Sequence, residues 1–183
     1  YSLDMKLRTF FFLALGAWVW TGCSNVTFEE PMPQKRRNLK DFPNKWQGTW
    51  SDDENLTLVI NPTSFYDENS PADSMVVGTD VLLRRFHGYL VVNQMGDNGQ
   101  YQIVLARRWK DEVKIYAFES SEDALAVWQE VLGGSFEARS ENPLEKETYI
   151  LKPDNNLAFR QLLMKGGVTL SNTLTRRSPS DLD

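Results

Sequence analysis

Residues that build metal sites and disulfides are nearly missing from this sequence. Its 183 residues include one cysteine, Cys23, and one histidine, His87. A single cysteine cannot form an intramolecular disulfide, and one cysteine with one histidine cannot supply the four ligands of a structural zinc site. We therefore expect a fold that needs neither, with no bound cofactor and no metal-binding residues.

The sequence also lacks a recognisable catalytic constellation. It contains no Gly-rich phosphate loop and no calcium-loop spacing of carboxylates. His87 would have to be the base of any Ser-His-Asp triad, yet it directly precedes an apolar run, where an ordinary, partly exposed histidine is the simpler interpretation. The carboxylates of residues 52–54 and 67–68 and of Asp73 are expected in turns rather than in a hydrolase pair. We expect a protein that is not an enzyme and has no catalytic residues.

Positive charge is not in excess. The chain has 20 Lys and Arg against 25 Asp and Glu, which gives a net charge of -5. A nucleic-acid-binding surface needs clustered cations, so we expect no nucleic-acid partner. Arginine doublets are spread along the chain, which favours solvated charge over a shared site for an anionic ligand. These doublets are Arg36-Arg37, Arg84-Arg85, Arg107-Arg108 and Arg176-Arg177.

Long apolar runs are absent, but one short run stands near the start. A basic stretch from Met5 to Arg8 is followed by the uncharged Thr9–Trp20 and then by Thr21-Gly22-Cys23. The run is too short for a membrane span, which takes about 20 residues. Its layout is that of a secretory signal. Residues 1–4 precede Met5, the expected initiator, and are excluded from the fold.

The Thr21-Gly22-Cys23 ending resembles the lipobox of bacterial lipoproteins. The resemblance implies cleavage before Cys23, attachment of a diacylglycerol to its sulfur and acylation of the new amino terminus. The protein would then have membrane lipid as a covalent partner, in the cell envelope and most often at the outer membrane, on its periplasmic or surface face. Two or more acyl chains anchor a protein stably.

Composition changes along the chain predict its segments. Residues 24–43 are polar and contain Pro31, Pro33 and Pro43, which is typical of an extended tether. Short apolar runs separated by turn residues begin near Trp46. The expected segments are a signal peptide at 1–22, a lipidated cysteine and tether at 23–45, a single β-rich domain at 46–178 and a disordered tail at 179–183.

The apolar runs of the domain predict antiparallel strands. Residues 87–93 and 101–106 flank Gly96-Asp97-Asn98-Gly99, a strong hairpin signal, and 113–118 alternates after another turn. Three such strands form a meander. Two short helices are expected, one capped by Ser120 and one capped by Asp154, ending at the glycine doublets 133–134 and 166–167. Trp109 and Trp128 are expected in the core.

About eight strands with two short helices predict a mainly β fold, closed into a barrel or curled. The Gly48-Thr49-Trp50 sequence resembles the Gly-x-Trp opening of lipocalin-type barrels, in which a basic residue near the end of the barrel packs over the Trp. Arg176 or Arg177 stands where such a residue would be. The alternative is that Trp50 is a core aromatic of another β fold. Val168, Leu170 and Leu174 are expected on one face of the last strand.

Two functions remain open from the sequence. The first is a barrel that holds a small apolar ligand or lipid. The second is a non-enzymatic interaction module, such as an accessory subunit of an envelope complex. A ligand barrel should contain a pocket lined by aliphatic and aromatic side chains. An interaction module should have a filled interior and an exposed apolar patch.

Overall fold

A computed structural model describes residues 26–139 and 148–177. Within these residues, twelve strands form one sheet and two α-helices pack against it. The strands are β1 (Val26–Phe28), β2 (Gly48–Ser51), β3 (Thr57–Ile60), β4 (Ser64–Asp67), β5 (Met75–Val76), β6 (Val81–Phe86), β7 (Tyr89–Met95), β8 (Tyr101–Trp109), β9 (Glu112–Ala117), β10 (Phe136–Arg139), β11 (Thr148–Leu151) and β12 (Thr169–Arg176). The helices are α1 (Glu122–Leu132) and α2 (Asn156–Met164). The mainly β prediction is confirmed, with more strands than the eight expected.

The sheet is curled and has a side branch. Its main path runs β6-β7-β8-β9-β12-β2-β3-β4-β5, and every pairing along this path is antiparallel. The predicted meander is therefore β7, β8 and β9. A branch at the start of β8 adds β1, which pairs with β11 in parallel, and then β10. Between β5 and β6, the two ends of the main path, no ladder forms within the described residues, so the closed-barrel alternative is corrected to a curled sheet.

Two hydrophobic clusters cover the two faces of this sheet. Alternation along β7 and β8 divides their side chains, with Leu90 and Ala106 on one face and Val91 and Leu105 on the other. The inner cluster, inside the curl, comprises Phe42, Trp46, Trp50, Leu58, Ile60, Phe65, Val81, Leu83, Leu90, Ala106, Val113 and Leu174. The outer cluster, under the helices, comprises Val26, Phe28, Met32, Phe86, Val91, Ile103, Leu105, Phe118, Ala124, Trp128, Leu132, Tyr149, Leu151, Phe159 and Leu162.

Both helices begin one residue later than the sequence predicted. Ser121, not Ser120, caps α1, and its hydroxyl accepts a hydrogen bond from the backbone N–H of Ala124 at 3.2 Å. Asn155, not Asp154, caps α2 through its side-chain oxygen. In each helix the capping residue is the polar residue directly after the predicted one. Its side chain is the one that reaches the free N–H groups of the first turn. In the described part of the chain, neither helix is long and apolar enough to cross a membrane.

The segment expected to be a tether is folded onto the sheet where the structure describes it. Val26–Phe28 forms β1, and Met32 and Phe42 are buried in the outer and inner clusters. Further along, the backbone N–H of Leu39 donates to Leu83 O at 2.8 Å, beside β6. The tether prediction for 23–45 is therefore wrong from Val26 onwards, and the fold begins well before Trp46.

Two buried polar side chains hold this N-terminal segment. Asn93 Oδ1 accepts from the N–H of Met32 at 2.6 Å, while its Nδ2 donates to Met32 O at 2.9 Å. Arg84 Nη1 donates to the carbonyls of Pro31 and Pro33 at 2.5 and 2.7 Å. Burial lowers the pKa of the Arg84 guanidinium from its usual value, although arginine remains charged in proteins.

The last strand does not place Val168, Leu170 and Leu174 on one face as predicted, because Val168 packs against the outer cluster and Leu174 lies in the inner one. Its pairing with β9 shifts between Leu170 and Asn172, where a β-bulge adds one residue to the strand. Side chains after the bulge therefore lie on the opposite face from the one that strict alternation predicts. Leu174 is consequently fully buried, whereas Leu170 is exposed rather than on the buried face. Trp109 also departs from the core prediction, because it lies exposed at the end of β8, while Trp128 is fully buried.

Candidate functional site

One end of the inner cluster is built around Trp50. Arg176 lies opposite Trp50 in the β2–β12 ladder, and its guanidinium carbon is 4.4 Å from the centroid of the indole ring. The indole Nε1–H donates to Trp46 O at 2.8 Å. The predictions that Trp50 is buried, that the last strand lies beside the first strand of the domain, and that a terminal arginine stacks on Trp50 are confirmed. Arg177 instead forms an ion pair with Glu68 at 3.1 Å.

Gly48 allows the arginine to approach. Its φ is +121°, a conformation that favours glycine. A Cβ at this position would lie 3.0 Å from Arg176 Nη1. The glycine of the Gly-x-Trp sequence is therefore favoured by its backbone conformation, and a side chain at this position would be in tight contact with the guanidinium.

Beyond Trp50, the curl contains an apolar cavity of about 60 Å³, which we call the inner cavity. All its lining residues except one serine are apolar, and they come from both halves of the sheet and from the segment before β2. The lining consists of Phe42, Trp46, Trp50, Leu58, Ile60, Phe65, Leu90, Val92, Val104, Ala106, Val113, Ile115, Ala117, Ser171 and Leu174. A void with such walls is suited to apolar groups and poorly suited to water.

Two lining residues, Phe42 and Trp46, come from the loop before β2 rather than from a strand. Phe42 is held by its N–H, which donates to Pro62 O at 2.7 Å, and its ring packs edge-on against Phe65 at 5.7 Å. Trp46 ends a short 3₁₀ helix, Asn44–Trp46. These two side chains fill part of the curl, and no strand ladder fixes their position.

Behind Trp46 and Leu90 lies a second depression, of about 310 Å³, which we call the basic pocket. It brings together residues of the N-terminal segment, the 3₁₀ helix and the β6–β7 hairpin. Its lining consists of Arg36, Lys45, Trp46, Arg85, Phe86, His87, Gly88, Tyr89 and Leu90. Arg36 and Arg85 belong to two of the arginine doublets that are spread along the sequence and were expected to be separate, solvated charges.

The histidine and the carboxylates that the sequence offered as candidates for catalysis lie at a hairpin tip and in turns. His87 is exposed at the tip of the β6–β7 hairpin, with a φ of +45°. Asp52 Oδ1 accepts from the N–H groups of Glu54 and Leu56, and Asp67 Oδ1 accepts from that of Asn69, as expected for turns. No group of three or more His, Cys, Asp and Glu side chains that could hold a metal ion occurs within 26–139 and 148–177. Cys23 lies outside the described residues.

The Trp50 end of the interior was predictable from the sequence, whereas the basic pocket was not. The resemblance of Gly48-Thr49-Trp50 to the lipocalin-type opening implied that Arg176 or Arg177 packs over Trp50, and Arg176 is the one that does. Arg36 and Arg85 are distant in the sequence and are brought together only by the fold. No local sequence pattern could therefore predict the basic pocket. No protein-family model matches the chain, and no curated protein or solved structure matches it.

Proposed function

We propose that the protein is a lipid-anchored lipoprotein of the bacterial cell envelope that binds a small apolar ligand inside the curled sheet. The inner cavity is the observation that carries the ligand proposal. Its walls are formed by aliphatic and aromatic side chains, and a ligand site of this kind is lined mainly by such residues. The proposal includes no enzymatic step, metal or cofactor.

The volume of the cavity limits the ligand. About 60 Å³ is far below the ~300–1,000 Å³ of sites for drug-sized molecules, and below the roughly 150 Å³ of an apolar cavity that binds benzene. A ligand of a few carbon atoms fits without rearrangement. A fatty acyl chain would require the buried side chains of Phe42 and Trp46 to move outwards.

Binding of xenon, an apolar probe small enough for a cavity of this size, tests the site and is followed by NMR. We expect Phe42→Ala to bind the probe more tightly than the wild type, because the substitution enlarges the cavity. Ala106→Val should weaken binding by filling it. Ala124→Val, which adds the same atoms in the outer cluster, is the matched control and should bind as the wild type does. Equal binding by all four proteins would overturn the proposal.

The anchor is tested separately at Cys23. The lipobox-like Thr21-Gly22-Cys23 supports attachment of lipid to this residue. Cys23→Ser should abolish incorporation of labelled fatty acid and partitioning into detergent, whereas Ser24→Ala, next to it, should leave both unchanged. Labelling that persists in Cys23→Ser would contradict the anchor without affecting the ligand proposal.

The second candidate function is an interaction module or accessory subunit. The small size of the cavity favours it, as do exposed apolar side chains on α2, where Leu157 and Met164 are seven residues apart and therefore share a face. Cross-linking in whole cells distinguishes the two functions. An interaction module should lose its cross-linked species in a Leu157→Ser/Met164→Ser variant and retain them in Ala106→Val.

A further inference from the structure

We propose that the basic pocket binds the phosphate group of an organic phosphate. This site goes beyond the apolar ligand and does not depend on it. The cations of the pocket come from three separate parts of the chain: Arg36 from the N-terminal segment, Lys45 from the 3₁₀ helix, and Arg85 from the end of β6. They surround one depression of about 310 Å³.

The positive charge of the pocket is uncompensated. Its lining contains no carboxylate. Within the described residues, the side chains of Arg36, Lys45 and Arg85 form no ion pair and no hydrogen bond, whereas Arg108 and Arg176 are each within 4 Å of an oxygen of Asp111. Three unpaired cations gathered in a chain of net charge -5 repel one another, and a bound anion would remove that repulsion.

The donor chemistry favours phosphate. Guanidinium groups present parallel N–H donors that match two oxygens of a phosphate, and an ammonium adds a compact charge with three donors. A carboxylate carries one negative charge, whereas a phosphate monoester carries up to two. Phosphate therefore matches a pocket with three cationic side chains better than a carboxylate does.

The walls of the pocket explain why the ligand should be organic. Tyr89 contributes a half-exposed ring beside the cations, whereas Phe86 and Trp46 are largely buried in the two clusters. Arg107 lies over the Tyr89 ring, with its guanidinium carbon 5.7 Å from the ring centroid. An apolar group joined to the phosphate can pack against the Tyr89 ring, which inorganic phosphate cannot do.

Titration of the full chain carrying Cys23→Ser, which removes the expected lipid, tests the site with defined probes. We expect phenyl phosphate to bind more tightly than inorganic phosphate. Arg36→Gln/Arg85→Gln should weaken phenyl phosphate binding at least about tenfold, because each lost charge-assisted hydrogen bond reduces affinity by about that factor. Both arginines are exposed, so the substitutions leave the core intact.

A matched control has the same change in charge. Lys110→Gln/Arg160→Gln removes two exposed cations outside the pocket and should bind phenyl phosphate as the parent does. Ala106→Val, which tests the inner cavity, should also retain phosphate binding, so that failure of one site is distinguishable from failure of the other. Equal weakening by both double variants would overturn the proposal, because it would show that binding depends only on the net charge of the protein.

The source of the phosphate is decided with vesicles. The pocket binds a phospholipid headgroup if the parent protein co-sediments with phosphatidylglycerol vesicles and not with phosphatidylcholine vesicles. This co-sedimentation should then be lost in Arg36→Gln/Arg85→Gln. Binding of phenyl phosphate without vesicle binding assigns the pocket to a soluble phosphate ester. A parent protein that binds neither phenyl phosphate nor phosphatidylglycerol vesicles contradicts the proposal.

Discussion

The inner and outer clusters share strands β7 and β8 but are packed differently. The outer cluster is filled with aromatic rings in mutual contact, among which Phe159 lies 6.0, 5.3 and 6.2 Å from Phe28, Phe86 and Phe118, measured between ring centroids. The inner cluster surrounds the inner cavity and is completed by Phe42 and Trp46 from a loop. Under the proposed function, the outer cluster stabilises the fold and the inner cluster retains space for the ligand.

Truncation of a phenylalanine in each cluster should give the largest contrast. Phe159→Ala should reduce the free energy of unfolding by an amount in the upper half of about 3–5 kcal/mol, because its ring is enclosed by other rings. Phe42→Ala should cost less, near the lower end of that range or below, since Phe42 borders a cavity and its loop can relax. Urea denaturation measures both losses. Equal losses would show that the clusters are packed alike.

Added volume should reduce stability in the outer cluster and leave it almost unchanged in the inner cluster. Ala124→Val should cost about 1–3 kcal/mol, because Ala124 is buried where α1 meets the outer cluster. Ala106→Val should change stability by less than about 0.5 kcal/mol, since the new methyl groups enter the cavity. Ala126→Val, at an exposed position of α1, corrects for helix propensity. A large loss from Ala106→Val would mean that the inner cluster has no room.

Stability at the Trp50 end of the inner cluster should depend on the contact between the indole ring and Arg176. Arg176→Met should reduce stability by about 0.5–2 kcal/mol, because it removes the contact with Trp50 together with the hydrogen bond to Lys45 O and the ion pair with Asp111. Arg177→Met removes an exposed ion pair and should cost no more than about 1 kcal/mol. Thermal melts compare the two variants, and a smaller loss for Arg176→Met than for Arg177→Met would contradict the role of the stacking.

The smallest effect is expected at β10 and β11, the edge of the branch. Lys152 Nζ donates to Glu137 Oε1 at 2.8 Å, which lowers the pKa of the Glu137 carboxyl and raises that of Lys152. The stabilisation should therefore be full between about pH 5 and pH 10. It should be lost as the pH falls through the lowered pKa of Glu137 or rises through the raised pKa of Lys152.

Thermal melts of wild type and Glu137→Gln, carried from neutrality into acid below about pH 4, measure that dependence. The difference in Tm should be small and constant near neutrality, and it should shrink in acid as the wild-type carboxyl becomes protonated. Glu119→Gln, at a carboxylate without an ion pair among residues 26–139 and 148–177, is the control. A difference that grows in acid would contradict the assignment.

Features that depend on neighbouring residues were predictable from the sequence. The meander follows from alternation and an Asn-Gly turn, and the packing of an arginine of the last strand on Trp50 was implied by the resemblance of Gly48-Thr49-Trp50 to the lipocalin-type opening. The bulge at Leu170 was not predictable, because a one-residue insertion in a ladder leaves no mark in the polar and apolar pattern. The residues that cap the helices were wrong by one position for a similar reason, since either of two adjacent polar side chains could serve.

Features that depend on distant residues were missed. Residues 26–45 look unstructured because they have little apolar periodicity, yet their carbonyls are bound by Arg84 and Asn93, about fifty to sixty residues later in the chain. The basic pocket was missed for the same reason. Arg36 and Arg85 become neighbours only because the N-terminal segment folds back against β6 and β7.

The position of β1 has a geometric consequence for a lipid-anchored protein. Val26 is already paired with Tyr149, and three residues of extended chain span at most about 11 Å. If Cys23 carries the lipid, the first strand therefore lies within that distance of its attachment point at the bilayer surface. In that case, a connection of this length would keep the folded domain close to the bilayer surface.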